Sequence, residues 1–108
     1  MDLQIERDKQ VELLQKSLEK LKITGKAYAE AERDYKVLLR QEVLKLRDEG
    51  VAIGVITLIC YGIPSVAEAR FKRDCADAVY QANQEAINTY KLKIRLIEAQ
   101  MEREWNNT

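Results

Sequence analysis

Gly50 to Ala67, GVAIGVITLICYGIPSVA, decides how this chain is read. It is 18 residues without a charge, in a chain where 33% of residues are Asp, Glu, Lys or Arg. Gly50 follows Arg47-Asp48-Glu49 and suits the left-handed position that ends a helix. Ile53 to Tyr61 is apolar nearly all round, which predicts a short helix buried on several sides. Gly62 can end it, and Pro64 suits the first turn of a following helix. Two charge-laced segments flank this connection, and both read as long helices.

The first runs from about residue 2 to 48. Val11, Leu14, Leu18 and Leu21 step by three and four, an apolar seam of coiled-coil type. Past Gly25 the expected stripe drifts to Ala27, Tyr28, Ala31, Tyr35, Leu38, Leu39 and Leu46, as a 3.6-residue helix does when no heptad holds it. Glu12–Lys16 and Glu32–Lys36 place acid four residues before base, the favourable order. Gly25 costs about 1 kcal/mol relative to Ala inside a helix. The apolar spacing resumes directly after it, so one continuous helix about 70 Å long is expected, at 1.5 Å per residue.

The second long helix covers about 64 to 105. Its expected stripe is Phe71, Cys75, Ala78, Val79, Ala82, Ala86, Tyr90, Ile94, Ile97, Met101 and Trp105. The tail Asn106-Asn107-Thr108 is expected to fray. The fold class is therefore all-α: one domain over 1–108, a long antiparallel helical hairpin with a short apolar helix in its connection. Residue 48 lying near 66 would set Tyr35 near Ala78, Ala31 near Ala82 and Tyr28 near Ala86. Tyr28, Tyr35 and Tyr90 are expected in the core, and Trp105 over the open end against Val11 or Ile5. A lone hairpin cannot cover Leu13, Leu14, Leu18, Leu21, Leu92 and Leu96, so these predict an oligomer interface, most simply that of a dimeric helical bundle.

Chemistry is sparse. The chain has no His, so no imidazole base, His-dependent nucleophile pair or imidazole metal ligand is present. Gly50-x-x-x-Gly54 lacks the Gly-Lys-Ser/Thr of a phosphate loop. Carboxylates interleave with Lys and Arg as on a solvated helix face. Cys60 and Cys75 form no C-x-x-C and read as buried thiols. No catalytic, cofactor-binding or metal-binding residue is expected, no cofactor, and no enzyme activity. The 18 basic and 18 acidic residues cancel, so net charge draws the chain neither to nucleic acid nor to acidic lipid. The N-terminal MDLQIERDKQ is charged and does not read as a secretory signal.

Three readings attach to the central stretch. A membrane segment is disfavoured: Gly50, Gly54, Gly62 and Pro64 interrupt it, and Val51 to Ile63 is only 13 residues. A helix-turn-helix has the right cadence, with Ser65, Arg70, Lys72 and Arg73 available to DNA. The short helix, however, should then have polar outward positions, and only Thr57 is polar. A docking knob fits better, with Ile53, Ile56, Leu58, Ile59, Tyr61 and Ile63 as partner-binding residues.

Two stretches carry a resemblance. EAERDYKVLLRQEVLKLRDEG (30–50) and AEARFKRDCADAVYQANQEAINTYKLKIRLIEAQMEREW (67–105) resemble a family of small helical proteins of phages and prophages of Gram-positive bacteria. The resemblance implies a phage accessory protein in the host cytoplasm, often encoded among replication and recombination genes. It carries no functional residue. The expected function is contact with a host or phage protein, such as a defence nuclease or recombination component. The alternative is a DNA-associated accessory factor.

Overall fold

The computed structural model describes residues 2–107, so the Thr108 end of the expected fraying tail lies outside the described residues. The chain forms three helices: α1 (Leu3–Asp48), α2 (Ile53–Tyr61) and α3 (Pro64–Asn106). No strand occurs among the described residues.

Local chemistry accounts for each end. Asp2 caps α1: its Oδ1 accepts the backbone N–H groups of Gln4 at 2.9 Å and Ile5 at 3.3 Å. These are two of the donors that a helix start leaves without intrahelical partners. α1 is unbroken through Thr24-Gly25. It ends at Gly50, which has φ +84°. The Val51 N–H reaches back to the Leu46 carbonyl at 3.1 Å, and the Gly50 N–H to the Arg47 carbonyl at 3.0 Å. This paired closure satisfies carbonyls of the last turn and requires a residue tolerant of positive φ. α2 stops at Gly62, here right-handed with φ −88°. Pro64 opens α3 at the position where its missing N–H costs nothing.

The helices divide into two compact units. The first comprises 1–24 and 80–108, the second Gly25–Val79.

In the first unit, Leu3, Arg7, Gln10, Leu14, Ser17, Leu21 and Thr24 form one stripe of the less exposed residues of α1, with Glu6, Val11 and Leu13 flanking it. On α3 the corresponding stripe is Tyr80, Asn83, Ile87, Tyr90, Ile94, Ile97 and Met101, flanked by Ala86 and Gln100. Both sets step by four and three, the spacing that keeps one stripe turned toward a neighbouring helix. The two helices meet at Asn83. Its Nδ2 donates to the Ser17 carbonyl at 3.0 Å, and its Oδ1 accepts from the Thr24 hydroxyl at 2.7 Å. Ile87 is buried beside this pair in sequence, and Gln10 is the buried polar residue of the unit.

In the second unit the same spacing marks Tyr28, Ala31, Tyr35, Leu38 and Glu42 on α1, and Val66, Ala69, Arg73 and Ala76 on α3. Tyr35, Ile56, Cys60 and Val66 are its buried apolar residues. Arg73 lies over the Tyr35 ring, its Cζ 4.5 Å from the centroid.

Several expectations are corrected. Phe71 and Val79 are 63% and 57% exposed, and Cys75, Ala78 and Ala82 are exposed too. The inward side of α3 over this stretch is Val66-Ala69-Arg73-Ala76-Tyr80-Asn83. The physical reason is that Arg73 and Asn83 find polar or aromatic partners on α1, so they can occupy a seam that an apolar-only count skips. The α1 stripe likewise does not drift to Ala27, which is exposed; Ser17 and Thr24 hold its three-four spacing. Tyr35 meets Arg73, more than a turn before the expected Ala78. Cys75 is exposed rather than buried. Trp105, expected over the open end, is 80% exposed.

Candidate functional site

α2 is a helix without a hydrophilic face. It begins after Ala52, an extended residue whose side chain caps nothing. It carries no charge, and its one polar residue, Thr57, is exposed. One face is anchored. Ile56 and Cys60, four residues apart and so on the same side, are 3% and 0% exposed. The other faces are open: Ile53 is 79% exposed and Leu58 77%, with Val55, Ile59 and Tyr61 exposed as well. Ile63 is half-buried in the turn. Arg70 sits with its Cζ 4.8 Å from the Tyr61 ring centroid, tying the end of α2 to the first turns of α3.

The six tip residues thus divide by position. Ile53, Leu58, Ile59 and Tyr61 are presented outward, Ile56 is a core anchor, and Ile63 lies between the two. The sequence alone treats all six alike because every position of α2 but Thr57 is apolar, so periodicity has little contrast to work on.

The basic group on α3 divides similarly. Ser65, Arg70 and Lys72 are exposed. Arg73 is turned inward: besides stacking on Tyr35 it bonds Asp74 Oδ1 through Nε at 3.0 Å and through an Nη at 2.8 Å. Its Nε also lies 3.9 Å from Glu32 Oε2. Glu32 further pairs with Lys36 at 3.2 Å and accepts the Tyr28 hydroxyl at 3.2 Å. Lys36, Tyr28 and Arg73 together hold the Glu32 carboxyl below its ordinary range, against a smaller opposing effect of burial. The same hydrogen bond and the Glu32 charge push the Tyr28 phenol up. Asp74 raises the Arg73 guanidinium further.

A cleft of about 500 Å³ in the second unit is lined by Glu30, Ala31, Asp34, Leu38, Ser65, Glu68, Ala69 and Lys72. Its polar groups are the carboxylates of Glu30, Asp34 and Glu68, the Ser65 hydroxyl and the Lys72 ammonium. Among the described residues, no three metal-ligating side chains are grouped as an ion would need. No single helix is long and apolar enough to cross a membrane; α2 and α3 reach that composition only together, across a 66° bend.

The expected oligomer residues lie in the first unit. Leu92 and Leu96 are 50% and 60% exposed and Leu18 is 43% exposed, whereas Leu13, Leu14 and Leu21 are half-buried. Leu96 lines a smaller cleft with Glu6, Gln10, Lys93 and Ile97. Sequence reasoning missed the Asn83 and Arg73 nodes. The only signal for them was a polar residue falling on the three-four spacing of α3. No protein-family model, curated protein or solved structure matches this chain.

Proposed function

We propose that this chain is a non-enzymatic accessory protein that works by protein–protein contact, with α2 as its docking element. On this reading α1 and α3 form an antiparallel hairpin, α2 caps its closed end, and copies of the hairpin associate into a helical bundle. The resemblance to phage and prophage proteins implies work inside an infected or lysogenic bacterial cell, on a host or phage protein. One observation carries the reading. α2 has the composition of a fully buried helix, yet only Ile56 and Cys60 are buried. Side chains such as Ile53 and Leu58 gain roughly 1.5–3 kcal/mol each when removed from water, so a surface that leaves them open favours a partner.

A helix-turn-helix role draws less support. Arg73 is occupied by Tyr35, Asp74 and Glu32, and the outward face of α2 is apolar.

The test is affinity capture from host extract with the wild type and Leu58→Asp. Leu58 is the better probe because Ile56 anchors the core and its substitution damages the fold. A protein held by the wild type and lost by Leu58→Asp is the expected result. Capture of nucleic acid by both, removed by added salt, would favour the DNA-associated reading. Binding only to lipid vesicles would replace the protein-docking reading with a membrane one.

A further inference from the structure

Residues 36–47 of α1, KVLLRQEVLKLR, hold four basic residues and one acidic. In a chain with 18 of each sign this is a local surplus of positive charge. The one acid, Glu42, lies on the stripe turned toward α3. Lys36, Leu39, Arg40, Val43, Leu44 and Arg47 share another face, about 130° round the helix. Together they line a cleft of about 330 Å³ in the second unit. Leu39 and Val43 are half-buried, and Leu44 is 43% exposed. The floor is thus aliphatic, and every charged group on the rim is positive. Lys36 pairs with Glu32 at 3.2 Å. Arg40 and Arg47 are exposed and have no ion pair among the described residues.

The other clefts lack this combination. The one at Ala31 and Leu38 mixes Glu30, Asp34 and Glu68 with Lys72, and the one at Leu96 sets Glu6 beside Lys93. Lys91 and Arg95 flank a cleft without a carboxylate, but its floor, Leu14 and Ile94, belongs to the stripes on which α1 and α3 meet. Sign and shape then select the occupant. A second copy laid face to face on Lys36–Arg47 would set cation against cation in either direction. Nucleic acid would meet the cations but offers nothing to the aliphatic floor, and no aromatic side chain lines the cleft to stack a base. A bilayer is entered by apolar groups that stand proud of the surface, whereas Leu39 and Val43 are half-buried between charged neighbours. A helix that brings apolar side chains to the floor and carboxylates to the rim satisfies both. Flanking charges choose partners in this way between paired helices.

We infer that the Lys36–Arg47 face of α1 receives an acidic amphipathic helix of another protein. The partner's apolar side chains pack on Leu39, Val43 and Leu44, and its Glu or Asp side chains pair with Arg40 and Arg47. The face is about 18 Å long, so it accommodates about three turns of the partner. A guanidinium presents a planar fork that matches a carboxylate, and neither of these two is engaged by an acid of its own chain. The inference rests on the protein-contact reading proposed above and gives a partner its chemistry, at residues other than those of the α2 tip.

Fluorescence anisotropy with two designed helical peptides, each of about three heptads, tests it. Both carry Leu along one stripe; one is flanked by Glu and the other by Lys. The Glu peptide is expected to bind the full chain at least about tenfold more tightly than the Lys peptide. Added salt should weaken it, and the amide shifts it causes should centre on residues 36–47. Arg40→Gln with Arg47→Gln should weaken it about tenfold, and Arg40→Glu with Arg47→Glu further. Helix content should be kept in the Gln pair, because both side chains are exposed and unpaired. Leu58→Asp should leave peptide binding unchanged. Equal binding of the two peptides overturns the inference, as does a Glu peptide that ignores the Gln pair. Loss of the Glu peptide in Leu58→Asp moves the contact to α2 and also overturns it. Duplex DNA or phosphatidylglycerol vesicles held through Arg40 and Arg47, with the Glu peptide not bound, overturn it in favour of a polyanion. A peptide that fails while a host protein is captured through α2 overturns this inference alone and leaves the protein-contact reading standing.

Discussion

The Asn83 node in the first unit and the Arg73 node in the second do the same job by different means. Each places a polar side chain of α3 on a stripe that turns toward α1. Asn83 is neutral and makes two short bonds, to the Thr24 hydroxyl and the Ser17 carbonyl. Those partners lie two turns apart on α1, so the amide measures the axial position of one helix against the other. Arg73 is charged. It covers Tyr35, the buried ring of its unit, and reaches Glu32 only at 3.9 Å while Asp74 takes its closest bonds. The contrast is between a directional amide clamp that fixes register and a guanidinium lid that seals an aromatic core. An amide held between two helices specifies alignment because misalignment leaves its donor and acceptor unpaired. A guanidinium stacked on a ring tolerates sliding, because its attraction to the ring face is broad.

Breaking the amide clamp should have the larger effect. Asn83→Ala removes two inter-helix hydrogen bonds and should cost about 2 kcal/mol, read as a lower midpoint in urea denaturation. Asn83→Leu sharpens the comparison. It should keep most of the stability while relaxing alignment, seen as doubled amide cross-peaks near Ser17 and Thr24. A single set of peaks would show that register is fixed elsewhere.

Arg73→Ala uncovers Tyr35 and should cost about 1 kcal/mol, the sum of a lost ring contact and a weak ion pair. No doubling of peaks should accompany it, because nothing directional is lost. Arg73→Met should recover part of the loss by keeping the cover over the ring.

The smallest effect is the pH dependence of the second unit. Glu32 is held below its ordinary value in the folded chain. Its contribution is therefore present above the unfolded pKa and is lost as acid carries the pH down through the folded one. Tyr28 is raised above its ordinary value of 10.0. Its contribution is present below that value and is lost as pH rises through the folded pKa. Glu32→Gln should flatten the acid limb of a stability–pH profile, whereas Asn83→Ala should leave both limbs in place.

Much of this was legible before any coordinates. A Gly50 able to take positive φ, a Gly62 able to end α2 and a Pro64 with no N–H to lose each act on backbone within a few residues. Local sequence is therefore enough to say where α1, α2 and α3 start and stop. The candidate site was legible only as a stretch. An α2 apolar at every position but Thr57 offers little periodic contrast, so Ile56 and Cys60 could not be told from Ile53 and Leu58 until α2 was set against its neighbours.

The choice of face on α3 shows where sequence reasoning gives out. Phe71-Cys75-Ala78-Val79 reads as the better seam by hydrophobicity alone, yet it faces out. Val66-Ala69-Arg73-Ala76 faces in, because Tyr35 and Glu32 on α1 receive Arg73 while Ser17 and Thr24 receive Asn83. The sequence by itself determined that the chain is three helices with an uncharged joint, since helix signals act over a turn or two of backbone. Only the tertiary structure decided which stripe of α3 is interior, since that depends on partners far along the chain, up to 66 residues away for Asn83 and Ser17.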